Sequence, residues 1–548
     1  MMLTVLRYFI VATLLFGFLL VTANEVKSPE KNDYATLLSL FEEWRNFETP
    51  PLVNGVPDYR AETFARRHIE LKKMQKRLAA IDAGGWSIPE QVDYQIVQAE
   101  MNGMDFNIRV LKPWVRDPAF YTSIWTYQSD TPAHEGPTNH AAIELWQYDF
   151  PLSKSSEKEL RKELESIPPF LDQAKINLIG NARELWIGGI GNLKEQSENL
   201  ESLKDKTKKT SRNFKKAIRK AIGATDNFVK WLEKESANKT GPSGIGKDHY
   251  TWQLRHVHLV PLSWEEEVSL LERELARAHA SLCLEEQRNS HLPPLIAAST
   301  PEEYDRMAKE AIERYLAFLE KKDVLIMRDY MGPVLAEHTG RFVEENKRNF
   351  FRMAMHFDTN TLNTHFYHWW DLARMEENPH ESPIRRKALL YNIWDSRAEG
   401  LATGIEEMMM HTGLYDDNPR VREIVWIMLA QRAARGLGSL YAHANIKTMK
   451  EARDFHVEWT PRGWMREDLD LLGFEQLLYL RQPGYGTSYI TGKYLIEQLM
   501  SERSNQLGDT FKLSDFYEEV DSAGLIPVSL IRWQLTGKDD EIKELQLK

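Results

Sequence analysis

Ser263-Trp264-Glu265-Glu266 opens a run in which Val268, Leu271, Leu275, Ala278 and Leu282 recur three and four residues apart as far as about Gln287. A serine followed three residues later by glutamate is a capping box, and the apolar spacing draws one stripe along a helix. Thr300-Pro301-Glu302-Glu303 repeats the signal with proline at the first helical position. The same periodicity predicts helices over roughly 61–83, 92–111, 156–188, 195–236, 361–377, 384–412, 419–442, 488–506 and 514–523. No stretch keeps a period of two, so the expected fold is all-α. Pro/Gly-rich segments at 49–58, 131–137, 241–246, 292–301 and 482–486 mark loops too short for a flexible linker. The chain should form one large helical body, with an N-terminal lobe over 24–290 and a C-terminal lobe over 291–548 around a deep groove.

Composition narrows the function classes. The 548 residues are 42% hydrophobic and 28% charged, which is globular, and the net charge of −11 with no long basic run argues against nucleic-acid binding. The lysines of 195–236 are interspersed with acids and read as the solvated face of a helical hairpin. Cys283 is the only cysteine, which excludes an intramolecular disulfide, Cys-based zinc ribbons and iron–sulfur clusters, so any protein-bound metal must use His, Asp or Glu. At the N-terminus, Arg7 precedes an uncharged run from Tyr8 to Val21 and then Thr22-Ala23-Asn24. That run is too short for a membrane anchor, so residues 1–23 are expected to be a cleaved signal peptide on a periplasmic or secreted, soluble chain. No cysteine follows the run to carry a lipid. Gly241-Pro-Ser-Gly-Ile-Gly-Lys247 has the spacing of a phosphate-binding loop, but Asp248 stands where magnesium would need Ser or Thr and no apolar strand precedes it. No nucleotide, flavin or haem is expected.

Three histidine constellations could carry chemistry. In Thr364-His365-Phe-Tyr-His368-Trp-Trp-Asp371 the residues 365, 368 and 371 share one face of a predicted helix, and Glu399 lies in the next. Two imidazoles and one or two carboxylates with an open position suit a catalytic zinc. His134-Glu135-Gly-Pro-Thr-Asn-His140 is a weaker pair of candidate ligands in a loop, and His256-Val-His258 reads as a structural or groove feature. Of the sixteen tryptophans, Trp252, Trp369, Trp370 and Trp394 accompany these histidines and suggest aromatic walls to a groove.

The order Asn378-Pro379, Glu399-Gly400-Leu-Ala402, Gly413-Leu-Tyr415-Asp-Asp-Asn-Pro419, Arg432-Ala-Ala-Arg435, His443, Pro483-Gly484, Ser488-Tyr489, Gly492-Lys493 and Gly524-Leu-Ile-Pro527 resembles the bacterial family called domain of unknown function 885, as does Ile245-Gly-Lys-Asp-His-Tyr250 upstream. The resemblance implies an all-α, zinc-peptidase-like protein whose marker is a His-Glu-Ala-x-Pro-Gly-His-His helix followed by Glu-Gly-Trp-Ala. In register, the second histidine falls on His368 and the glutamate on Glu399, but the first histidine falls on Leu362 and the general base on Asn363. An amide has no usable basic pKa. The family's Asp before His443 is Ser439, and its His after Phe516 is Tyr517.

Residues and resemblance together lead to an expectation of metal-assisted hydrolysis of a peptide or related amide. His365, His368, Glu399 and Asp371 are the candidate ligands, and Tyr489, His443, Lys493 and Arg435 the candidate substrate-orienting or oxyanion groups. The alternatives are a groove-binding protein that has lost the metal, and a metal-independent enzyme using Tyr, His and Lys as acid and base.

Overall fold

The computed structural model describes residues 33–132 and 139–546; the signal-peptide reading and His134 lie outside them. Among the described residues the only strands are two-residue pairs, Leu52–Val53 with Val56–Pro57 and Ile124–Trp125 with Ile143–Glu144. The rest of the ordered structure is helical, as the periodicity requires.

The capping box at Ser263 forms as read: its hydroxyl accepts from the Glu266 N–H, and the Glu266 carboxylate accepts from the Ser263 N–H at 2.7 Å, starting the helix Trp264–Arg288. Thr300 caps the helix Pro301–Lys322, while Glu303 reaches one residue further back to the Ser299 N–H at 2.9 Å. The lysine-rich stretch is a hairpin of the helices Arg183–Lys206 and Arg212–Ser236.

Several predicted helices are divided. The 156–188 run splits into Lys154–Leu164 and Ile167–Asn177 before the hairpin begins, because Pro168 and Pro169 cannot continue the first helix's hydrogen-bond ladder. Of 384–412 only Asp395–Thr412 is helical; Tyr391 and Asn392 sit at φ 58° and 54°, which no α-helix accommodates. The 361–377 run breaks after Asn360–Asn363 and restarts at Tyr367–Glu377, with Phe366 at ψ 13° between them. His365 therefore lies in the break, not on a continuous helical face with His368.

Most buried apolar side chains from Leu37 to Leu545 form one contiguous core, with a small second cluster around Leu185, Met449 and Leu480, and segments on both sides of residue 290 contribute to each. The helix Trp264–Arg288 packs on Val421–His443, and Asp395–Thr412 packs on Tyr485–Leu507. That second crossing is tight because Gly400 meets Gly492: a Cβ on Gly400 would collide with the Gly492 backbone. The close approach brings Glu399 against the first turns of the helix that carries Tyr485 and Tyr489. Among the described residues no helix is long and apolar enough to cross a membrane.

Candidate metal centre

His368 enters from the first turn of Tyr367–Glu377 and Glu399 from the second turn of Asp395–Thr412, and both are buried. His365, held in the helix break, completes the group. One ligand atom from each of His365, His368 and Glu399 lies within 4.8 Å of the others, a spacing one divalent cation can span. His368 Nε2 is 3.1 Å from Glu399 Oε2 and His365 Nε2 is 3.8 Å from the same oxygen.

The groups behind the ligands fix their orientation. His365 Nδ1 lies 2.9 Å from Glu406 Oε1 and 3.3 Å from Arg432 Nη2, which orients the ring so that Nε2 faces Glu399. Glu406 is itself held by both guanidinium ends of Arg432, at 2.8 and 2.6 Å. The Tyr485 hydroxyl donates to Glu399 Oε1, leaving Oε2 for the imidazoles. None of these supports is among the candidate site residues singled out by the sequence pattern. Glu406 was findable, seven residues and two turns beyond Glu399 on the same face; Tyr485 was not, since only the Gly400–Gly492 contact sets its register.

Burial works against every charge here, and the partners decide the outcome. For Glu399 the His368 and His365 imidazoles and the Tyr485 hydroxyl outweigh burial and hold the carboxyl down at about 2. For His368 the opposing Glu399, Asp130 and Asp371 carboxylates outweigh it and raise the imidazole to about 9. His365, buried beside Arg432 and His368, is driven well below the ordinary histidine value. Asp130, in the loop after Ile124–Trp125, is raised by burial and by Glu399 while His368 draws it down, and so belongs to the same electrostatic group. A site whose metal-free form protonates one imidazole is a site that attracts positive charge.

The other predicted residues are placed elsewhere. Asp371 binds Arg397 through both oxygens, at 2.7 and 2.8 Å, and is not part of the three-ligand cluster. His443 packs on Tyr250 with its Nε2 2.9 Å from the Tyr479 carbonyl, and burial pushes it down to about 4. Lys493 is tied to Glu497 at 2.6 Å and Glu407 at 3.0 Å. Arg435 pairs with Glu475 and lies 3.9 Å under the Tyr489 ring, and that ring stacks on His365 at 6.2 Å between centroids. Tyr489 is thus the candidate donor that adjoins the cluster. His140 bonds Glu48 at 3.2 Å, facing a separate cavity.

That cavity, of about 590 Å³, begins one helical turn from the ligands. Leu372 and Asp395 line it, four residues from His368 and Glu399 respectively, as do Pro483, two residues before Tyr485, and Ser129 and Thr131 on either side of Asp130. Its aromatic walls are not those expected from sequence. Trp370 stacks on Tyr315 in the core, Trp252 on Phe106 and Trp369 on His338, and Trp394 is fully buried; Trp114 and Trp146 line the cavity instead.

The fold and cluster define an all-helical chain with a His/His/Glu group buried beside a large cavity. Residues 53–321 match the family described as "Bacterial protein of unknown function (DUF885)". The matched stretch includes Ile245–Tyr250 but ends before the cluster, so the C-terminal resemblance over 378–527 lies outside it. The fold is similar to that of a "putative lipoprotein of unknown function" from Shewanella oneidensis, with a TM-score of 0.67 and 15% identity over 92% of this chain and 100% of the other. A "putative lipoprotein" from Colwellia psychrerythraea is similar at TM-score 0.60 and 15% identity, over 94% and 98% of the two chains. No curated protein matches the sequence.

Proposed function

We propose that the protein is an exported metal-assisted hydrolase acting on a peptide or related amide, with a divalent cation of the zinc class held by His365, His368 and Glu399. The observation that carries this reading is the convergence of two imidazole nitrogens and one carboxylate oxygen within 4.8 Å. The donor set fits zinc: both ligand types are ones it prefers, three protein ligands leave a position open, and the His365–Glu406 contact is the outer support such histidines need. When bound, the cation would polarise a carbonyl and lower the pKa of a coordinated water toward ~7.

This chain's own residues supply the rest. Asn363 is buried and its amide donates to Asn360 Oδ1 at 2.9 Å, so it neither faces the reaction nor accepts a proton. Asp130 is the carboxylate assigned to take the proton of an attacking water, because it shares the electrostatic field of His368 and Glu399 and its chain neighbours Ser129 and Thr131 line the cavity. Tyr489, stacked on His365, is placed to donate to a developing oxyanion. The metal-independent alternative finds less support, since His443 Nε2 and Lys493 Nζ are spent on Tyr479 and on carboxylates. Export is supported by the N-terminal apolar run, and the two similar structures carry lipoprotein descriptions.

Elemental analysis of the purified chain after supply of zinc, manganese and iron tests the reading. About one equivalent of metal is expected, with Glu399→Ala abolishing its retention and chelation removing amide hydrolysis until metal is restored. A chain that takes up no stoichiometric metal, or that hydrolyses amides equally well in chelator, is not this enzyme.

A further inference from the structure

The cavity beside the cluster carries its own chemical signature. Among the described residues that line it, four carboxylates, Glu48, Asp117, Glu144 and Asp395, face one guanidinium, Arg481, and two imidazoles. Asp117 is matched by Arg481 Nε at 2.8 Å and Asp395 by His258 Nδ1 at 3.0 Å. The lining as a whole therefore carries more negative than permanent positive charge. Glu48 is held between His140 Nε2 at 3.2 Å and the Tyr391 hydroxyl at 3.3 Å, which keeps it ionised despite burial.

Two further features call for a donor. Asp395 is 1% exposed and its Oδ2 has no partner, and Gln253 is 8% exposed with its Oε1 equally unpaired; both residues line the cavity. Buried acceptors left unmatched are destabilising until a donor arrives. The walls also include the aromatic residues Tyr59, Trp114, Trp146 and Tyr391. Carboxylates with aromatic rings make a binding surface for an ammonium on an apolar stem: the charge is met by Coulomb attraction and by the ring faces, and a neutral or anionic analogue is rejected.

We propose that this cavity binds a primary ammonium group carried on an aromatic or apolar body, as offered by a peptide N-terminus or a free arylalkylamine. Amine recognition rests on the hydrolase reading only for its catalytic consequence: a free N-terminus seated here would deliver the amide beyond it toward His365, His368 and Glu399. Binding itself needs no turnover.

Isothermal titration of the full purified chain tests it, with phenethylamine, N-acetylphenethylamine and 3-phenylpropionate as probes, and Phe-Gly-Gly against its N-acetyl form. The amines are expected to bind at least about tenfold more tightly than their acetylated partners, and the propionate weakest of all. Glu48→Gln should erase about tenfold of that preference. Trp146→Ala, at a wall residue already 39% exposed, should weaken both members of each pair alike without disturbing the fold. Preference for the tripeptide assigns the site to peptide termini, and preference for phenethylamine to small amines. Equal binding of acetylated and free forms, tighter binding of the propionate through Arg481, or no binding at millimolar concentration overturns the proposal. Since none of these readouts depends on metal content or hydrolysis, amine recognition and the metallohydrolase reading fail separately.

Discussion

The helices Tyr367–Glu377 and Asp395–Thr412 carry two buried polar clusters side by side, and they are built on opposite principles. Asp371 and Asp521 close on Arg397, with oxygen–nitrogen distances of 2.7 to 2.8 Å, and the positive charge between them is permanent. One turn away His368 and Glu399 face each other with only a titratable charge between them, and His365 adds a second neutral donor. The first cluster is complete as it stands. In the second, the proton on His368 occupies a position a metal ion can take over, because a cation there gains three ligands where the proton gains one pair. Proximity in sequence placed Asp371 among the candidate ligands; the presence of a guanidinium within reach is what separates a structural carboxylate from an available one.

The greatest loss should follow disruption of the closed cluster. Arg397→Met leaves the buried Asp371 without its guanidinium and Asp521 with only the Tyr367 hydroxyl and Arg374, and breaking such a pair costs about 3–5 kcal/mol. Urea denaturation should report that drop, while the fraction that still folds should take up metal as before. A cost below about 1 kcal/mol would mean the cluster is solvated and the contrast between the two is misdrawn.

Next in size is a pH effect confined to the same cluster. Burial and the neighbouring Asp371 raise Asp521 to about 6, above its ordinary value of 3.8, against the pull of Arg397. The folded chain therefore binds the proton more tightly than the unfolded chain does. Its contribution is fully favourable below about 3.8 and is lost as pH rises through about 6, a difference on the order of 3 kcal/mol. Asp521→Asn should flatten the stability profile between about pH 4 and 6; an unchanged slope in urea midpoints would remove Asp521 as its source.

The fold was legible where periodicity and caps agreed: the Ser263 box and the 421–443 and 485–507 helices stand close to their predicted spans, while the lysine hairpin ends as predicted but begins at Arg183, ahead of its predicted start at 195. Illegible were the breaks at 364–366 and 384–394, where backbone conformations at Phe366, Tyr391 and Asn392 overrule an apolar pattern that continues through them. The candidate ligands His365, His368 and Glu399 could be picked out because their residue types and spacing are local. Their partners could not, because Tyr485, Arg432 and Asp130 arrive from up to 269 residues away and only packing says which of many polar residues will face them. The tryptophans misled for the same reason: adjacency in sequence put Trp369 and Trp370 beside His368, but consecutive helical residues point about 100° apart, and both turned away from the cavity.

The smallest change bears on the open cluster. Tyr485→Phe removes a single hydroxyl, the one that donates to Glu399 Oε1, and leaves the ring's packing on Tyr479 and Tyr489 in place. If Glu399 binds metal through Oε2, its other oxygen must be held for the carboxylate to keep its angle, and loss of such an outer support weakens metal binding by about 10–100-fold. Competition with a chelating dye would measure that affinity directly, with urea stability of the metal-free chain changing by no more than about 1 kcal/mol. Should affinity hold steady while stability falls, Tyr485 would be supporting the crossing of its own helix against Asp395–Thr412 rather than aiming Glu399, and the open cluster would need no support beyond Glu406 and Arg432.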